Sequence, residues 1–175
     1  MSSVILAREP SAQLFLGSLA TALVLNLLPW PPIWPVPDWL AVCLVFWALQ
    51  LPGRPLLWPA WLLGLLRDVH QGVLLGEHAL AYSLLAYGAV TLHRRLSGFS
   101  SAGQAAHLAG LFAIAEGSLM LVRWVATASP PSLHSVLLIA ANTLAWMLLQ
   151  SLLRGLLSRR PRARKAKPRS SQSLR

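Results

Sequence analysis

The chain has 175 residues, 55% of them apolar and only 11% charged, far below the roughly 25% charge of an average soluble domain. That balance argues against a water-soluble enzyme or binding module and predicts a membrane protein. Fifteen Lys and Arg stand against five Asp and Glu, yet nine of the basic residues crowd into positions 154–175, which leaves six basic and five acidic residues for everything before them.

In chain order, six apolar segments can be drawn, at 14–28, 39–51, 56–66, 73–92, 105–126 and 133–153. The first is followed by Pro29-Trp30-Pro31-Pro32 with no small-x-small cleavage site, so it is expected to be a retained span and not a signal peptide. The second and third are short of the roughly 20 residues a spanning helix needs. Between them lies Pro52-Gly53-Arg54-Pro55, where two prolines remove donors and the glycine permits a turn. Two separate helices give six spans, and one long broken helix gives five.

Lys and Arg in short loops favour the cytoplasmic side. With six spans and an inside N-terminus, Arg8, Arg54, Arg94, Arg95 and the basic tail all fall inside, while the loops around Pro29–Asp38 and Thr127–Ser132 carry no basic residue. Five spans would put Arg8 on the wrong face if the tail is inside. The expectation is therefore an all-α, polytopic membrane bundle of six helices, residues 1–157, with both termini cytoplasmic. Trp30, Trp34, Trp39, Trp58, Trp61 and Trp124 sit near predicted span ends, where an amphipathic ring suits the headgroup level. Trp47 and Trp146 fall mid-span and are expected to pack.

From 158 to 175 the Arg, Lys, Pro and Ser composition predicts a disordered tail. No aromatic residue there offers a base a stacking partner, so a nucleic-acid partner is not expected. Anionic lipid is the expected counter-charge. Cys43, the one cysteine, rules out an internal disulfide.

The densest polar stretch is GLLRDVHQGVLLGEHALAYSLLAY, Gly64 to Tyr87. Asp68, His70, Glu77 and His78 do not fall at the i, i+4 spacing that puts two ligands on one helix face, so a metal site is disfavoured. There is no G-x-S-x-G, and Ser83 is expected to pack. Gly64, Asp68, Gly72 and Gly76 recur every four residues. A continuous helix would make them a stripe of small positions for close helix approach, whereas Gly72 and Gly76 would equally suit a turn. Glu116 is isolated in the fifth apolar segment, where a carboxylate at the bilayer centre costs about 2.5–3.5 kcal/mol. Arg123, His107, Asn142 and Gln150 are its candidate partners. With no paired carboxylates, nucleophile–base pair or phosphate loop, catalysis has no candidate mechanism, and no cofactor is expected.

Taken together, PDWLAVCLVFWALQLPGRP at Pro37–Pro55 and the Gly64–Tyr87 stretch resemble the bacterial rod shape-determining MreD family. The likeness lies in Pro37-x-Trp39 entering a span, Trp47 near its end, Pro52-x-Arg54 in the turn, and then Gly64, Asp68, Gly72, Gly76, Ala79, Leu80 and Tyr87 at their spacing. It extends to Pro29-Trp30, Glu116, Asn142 and Trp146. Arg67 and Pro59 depart from the family pattern; Arg67 could pair with Asp68 or Glu77. The resemblance implies a non-enzymatic inner-membrane component of the cell-elongation machinery. Its implied partners are MreC, the actin-like MreB filament, the RodA glycosyltransferase and a penicillin-binding transpeptidase. It also implies an architecture similar to the six-helix substrate-binding subunits of vitamin-uptake transporters.

Two function classes follow. In a scaffold, the faces Gly64–Gly76 and Ala106, Gly110, Ala113, Gly117 would pack against partners. In a small-molecule-binding or transport subunit, Glu116, Asp68 and Asn142 would line a central cavity.

Overall fold

The computed structural model describes residues 12–31, 33–51, 53, 56–96, 98–128 and 133–158, with backbone alone at 101 and 153–158. Within them lie six α-helices and no strand: α1 Ala12–Leu27, α2 Trp39–Gln50, α3 Leu57–Gln71, α4 Glu77–Leu96, α5 Ser101–Thr127 and α6 Leu133–Ser158. The second and third apolar segments are thus separate helices. Boundaries moved most around the polar stretch, where α3 runs on to Gln71 and α4 starts at Glu77, four residues later than its apolar run.

Capping explains several of these ends. Asp38 accepts from the Ala41 N–H at the start of α2, and Ser100 accepts from the Gly103 N–H at the start of α5, each satisfying a donor that the first turn leaves orphaned. Gly72 closes α3 in the left-handed conformation, φ 62°. Its N–H returns to the Asp68 and Val69 carbonyls, as a glycine C-cap does.

α2 forms the centre. Every residue from Leu40 to Ala48 is buried, as expected of a helix apolar on all sides. It packs on α1, α4 and α6, while α3 lies on α4, and α5 joins α4 to α6. At 12 residues α2 is about 18 Å long, short of the about 30 Å hydrocarbon core. Among the described residues, α5 and α6 are the two helices long and apolar enough to cross a membrane, over Ala102–Thr127 and Leu133–Leu152.

Large apolar side chains also cover the outside of the bundle. Val24 on α1, Leu62 and Val69 on α3, Ile114 and Val125 on α5, and Leu144 and Leu148 on α6 are all exposed. A water-soluble monomer rarely leaves apolar surface on this scale uncovered. The tryptophans at 30, 34, 58, 61 and 124 are exposed too, whereas Trp47 and Trp146 are buried as expected of packing residues.

Candidate functional site

Polar side chains gather where the ends of α1, α3 and α5 meet the starts of α2, α4 and α6. Asp38 is the hub. Its Oδ1 accepts from Asn26 Nδ2 at 2.7 Å and from the Ala41 N–H at 3.0 Å, and its Oδ2 accepts from the Tyr82 hydroxyl at 2.6 Å. The Asp38 N–H donates to Asn142 Oδ1 at 2.7 Å, and the Trp39 N–H to Asn26 Oδ1 at 3.0 Å. Arg67 Nη1 donates to the Asn26 carbonyl. One carboxylate with its two amide neighbours therefore ties α1, α2, α3, α4 and α6. In an apolar medium each unsatisfied polar group costs several kcal/mol, so these groups hold each other in place.

Asp68 makes a second, local knot. Fully buried, it accepts at Oδ2 from the Gly76 N–H at 2.8 Å and at Oδ1 from the His78 N–H at 2.8 Å, with His78 Nδ1 also 2.7 Å from Oδ1. A side chain from the end of α3 thus serves the orphan donors at the start of α4. The intervening turn needs two positive-φ residues, and Gly72 (62°) and Gly76 (102°) supply them. Of the two alternatives for the glycine spacing, the turn is correct for Gly72 and Gly76.

Gly64 has a different use. A Cβ built there would lie 2.5 Å from the Ala79 nitrogen and 2.7 Å from the His78 carbonyl carbon, so α3 and α4 touch backbone to backbone. The close approach is spent inside the chain, and Gly64 is not free to face a partner. The stripe on α5 is the opposite case: Ala106, Gly110, Ala113 and Gly117 are all exposed, with open space where a Cβ at Gly110 or Gly117 would lie.

Glu77, buried at the first position of α4, pairs with Arg123 near the end of α5, whose side chain stays 47% exposed. The expected partners of Glu116 are consequently engaged elsewhere. Arg123 is with Glu77, Asn142 with Asp38, Gln150 with Gln104 at 2.9 Å, and His107 with the Gly103 carbonyl at 2.8 Å. Among the described residues no hydrogen bond or ion pair reaches the half-buried Glu116 carboxylate. Arg67 likewise pairs with neither Asp68 nor Glu77, because Asn26 takes it.

Residues 11–159 match the family described as rod shape-determining protein MreD. The chain belongs to the MreD family. It is 38% identical over 74 residues to the rod shape-determining protein MreD of Haemophilus influenzae, a stretch covering 41% of this chain and 46% of that relative. The matched stretch therefore spans less than half the length of that curated protein. No solved structure matches.

Of the family-motif positions, the structure brings Asp68, Gly72 and Gly76 into one turn, seats Ala79 under Gly64, and places Asn142 on Asp38. Trp39 and Pro37 flank Asp38, and Trp47 donates from its indole to Ser18 Oγ at 2.8 Å, fastening α2 to α1. Leu80 and Tyr87 are exposed on α4 and join no polar contact of this site. Pro52, Arg54, Arg8 and the tail from 159 onward lie outside the described residues. Asp38, Asn26 and Tyr82 were missed as site residues in the sequence. Asp38 was legible as an N-cap, an Asp directly before an apolar run; Asn26 and Tyr82 carry no such signal.

Proposed function

We propose that this MreD-family chain is a non-catalytic scaffold of the rod-shape machinery, helping to couple MreC, MreB, RodA and a penicillin-binding transpeptidase so that elongation keeps a rod shape. The observation that carries this reading is the use of the acids at the polar end of the bundle. Asp38, Asp68 and Glu77 are each engaged in joining one helix to another, which suits a rigid platform. The exposed small-residue face of α5 suits a partner's transmembrane helix, since small side chains let backbones approach.

The scaffold sits in the inner membrane with six spans and both termini inside, and its basic tail meets anionic lipid. A reporter active only outside the inner membrane is then silent after Arg175 and active when inserted near Pro35. The decisive experiment is a pull-down of the tagged full chain from membranes. Stoichiometric MreC is expected; a bound small molecule without MreC would overturn the scaffold.

The second reading, a small-molecule-binding or transport subunit, is favoured by one observation, a Glu116 carboxylate that no hydrogen bond or ion pair reaches among the described residues. It gives the variants at that position their discriminating value.

A further inference from the structure

Between α1 and α2 the chain runs Pro29-Trp30-Pro31-Pro32-Ile33-Trp34-Pro35-Val36-Pro37. Five of these nine residues are proline, which has no backbone N–H to satisfy. Of the four N–H groups left, three are used at once. Trp30 donates to the Leu28 carbonyl at 2.9 Å, Trp34 to the Pro31 carbonyl at 3.1 Å, and Val36 to the Trp34 carbonyl at 2.8 Å. The Trp30 indole turns back to the Leu25 carbonyl at 2.8 Å. No side chain from 29 to 37 is charged, and Ile33 and Trp34 point away from the bundle, 85% and 60% exposed.

A loop in water has no need of this, since solvent serves any free N–H. A loop in contact with lipid does need it, because nothing there replaces the missing partner. Indole rings also settle at the headgroup level, with the ring in apolar surroundings and the N–H within reach of water. Apolar exposure extends to helix ends as well: Leu27 and Leu28 are exposed where α1 enters the loop, and Trp124 and Val125 are exposed at the end of α5.

We infer that residues 29–31 and 33–37 form a membrane-surface wedge whose Ile33 and Trp34 side chains lie in the headgroup–acyl boundary. Pro37 leads directly into Asp38, so the wedge fixes the depth of the hydrogen-bond hub against the lipid surface. The short α2 then starts at the interface without having to extend further. The inference rests on the membrane placement given under the proposed function, and not on which end of the bundle faces outward.

The test uses the full chain in phosphatidylcholine vesicles. Cys43 is the one cysteine, so a Cys43→Ala background accepts a single spin label at Ile33→Cys or, as a bilayer reference, at the exposed α6 position Leu148→Cys. Oxygen is expected to collide with the label at 33 several-fold more often than an aqueous nickel chelate does, at a depth shallower than 148. Nickel dominance at 33 with oxygen dominance at 148 overturns the wedge and leaves the membrane reading standing. Nickel dominance at both sinks the membrane reading as well. An immobile label reached by neither reagent also overturns the wedge, and points to protein cover.

Should the Cys43→Ala chain fail to fold, Trp34→Phe in the otherwise native chain gives a second measurement. It is expected to remove fluorescence that shallow-brominated lipid quenches. Removal of only iodide-quenched fluorescence overturns the inference.

Discussion

At the Asp38 end of the bundle all six helices are joined by side-chain hydrogen bonds or ion pairs, through Asn26, Asp38, Arg67, Asp68, Tyr82, Glu77, Arg123 and Asn142. At the opposite end a Gln104–Gln150 bond joins α5 to α6, Gln104 reaches back to the Leu96 carbonyl of α4, and the Trp47 indole joins α2 to α1 through Ser18. Apolar packing around Ala89, Leu96 and Leu108 accompanies them. Burial in lipid supplies little drive for helices to associate, because lipid is as apolar as leucine, so polar contacts and close packing set which helices meet. The Asp38 end therefore specifies the arrangement, and the Gln104 end follows it with room to change.

The largest effect that tests this contrast comes from glycine. Gly64→Leu pushes a side chain into the backbone of Ala79 and His78, a fixed obstacle, and overpacking of a tight contact costs about 1–3 kcal/mol or more. Gly117→Leu meets open space on α5. Gly64→Leu is expected to abolish folded protein in the membrane, and Gly117→Leu to leave the level normal while reducing co-purified partner. Immunoblots of membranes and the pull-down read both. Equal losses at the two positions would remove the distinction between internal and external faces.

Next come the carboxylates of the same end. Asp38→Ala strands donors on Asn26, Ala41 and Tyr82, at about 1–3 kcal/mol for each left unsatisfied, and is expected to lower the melting temperature sharply. Asp38→Asn is expected to be mild, since the Tyr82 hydroxyl can reverse and accept from the new amide. Asp68→Asn is expected to be the worse amide variant. Both Asp68 oxygens face backbone N–H groups, of Gly76 and His78, and a backbone N–H cannot reverse. Thermal melts of the purified variants decide; a milder Asp68→Asn would mean that His78 or the turn readjusts.

How much of this was readable beforehand follows from the same chemistry. Six helices, their order and the tryptophans near their ends were legible because apolar run length and interfacial preference act locally. The break between α2 and α3 was legible as Pro52-Gly53-Arg54-Pro55. The start of α4 was not, because the apolar run began at Val73 while the helix had to wait for Gly76 to turn and for Asp68 to serve its first donors. Asp38 stood as the unspecified middle residue of Pro37-x-Trp39. Its N-cap role was local and could have been read, but its bonds to Asn26 and Tyr82 depend on packing that no spacing in the chain encodes. The same gap produced four candidate partners for Glu116, each of which the fold had engaged elsewhere.

A smaller contrast lies at the other end, where Gln150→Leu removes one neutral hydrogen bond worth about 0.5–1.5 kcal/mol. Leucine fills the site with apolar bulk, while Gln104 keeps the Leu96 carbonyl as acceptor at 3.0 Å. The expected shift in melting temperature is a few degrees or less, well below that of Asp38→Ala. A shift as large as that of Asp38→Ala would show the two ends to be equally important for the arrangement.

Glu116 gives the smallest expected effect on stability and the sharpest on function. With no donor bonded to it among the described residues, removing the carboxylate strands nothing, so Glu116→Gln and Glu116→Ala should both keep normal membrane levels and melting temperatures close to the native chain. In a scaffold, both variants also keep rod shape and bound MreC when expressed in cells lacking the native protein. A binding or transport subunit needs the acid itself, because an intramembrane carboxylate without an internal partner is otherwise a cost with no return. In that case Gln gives round cells while abundance and MreC association stay normal. Scoring shape, level and MreC in the same cells separates the outcomes: round cells from a well-assembled Glu116→Gln chain move the function from the helix faces to the Glu116 carboxylate.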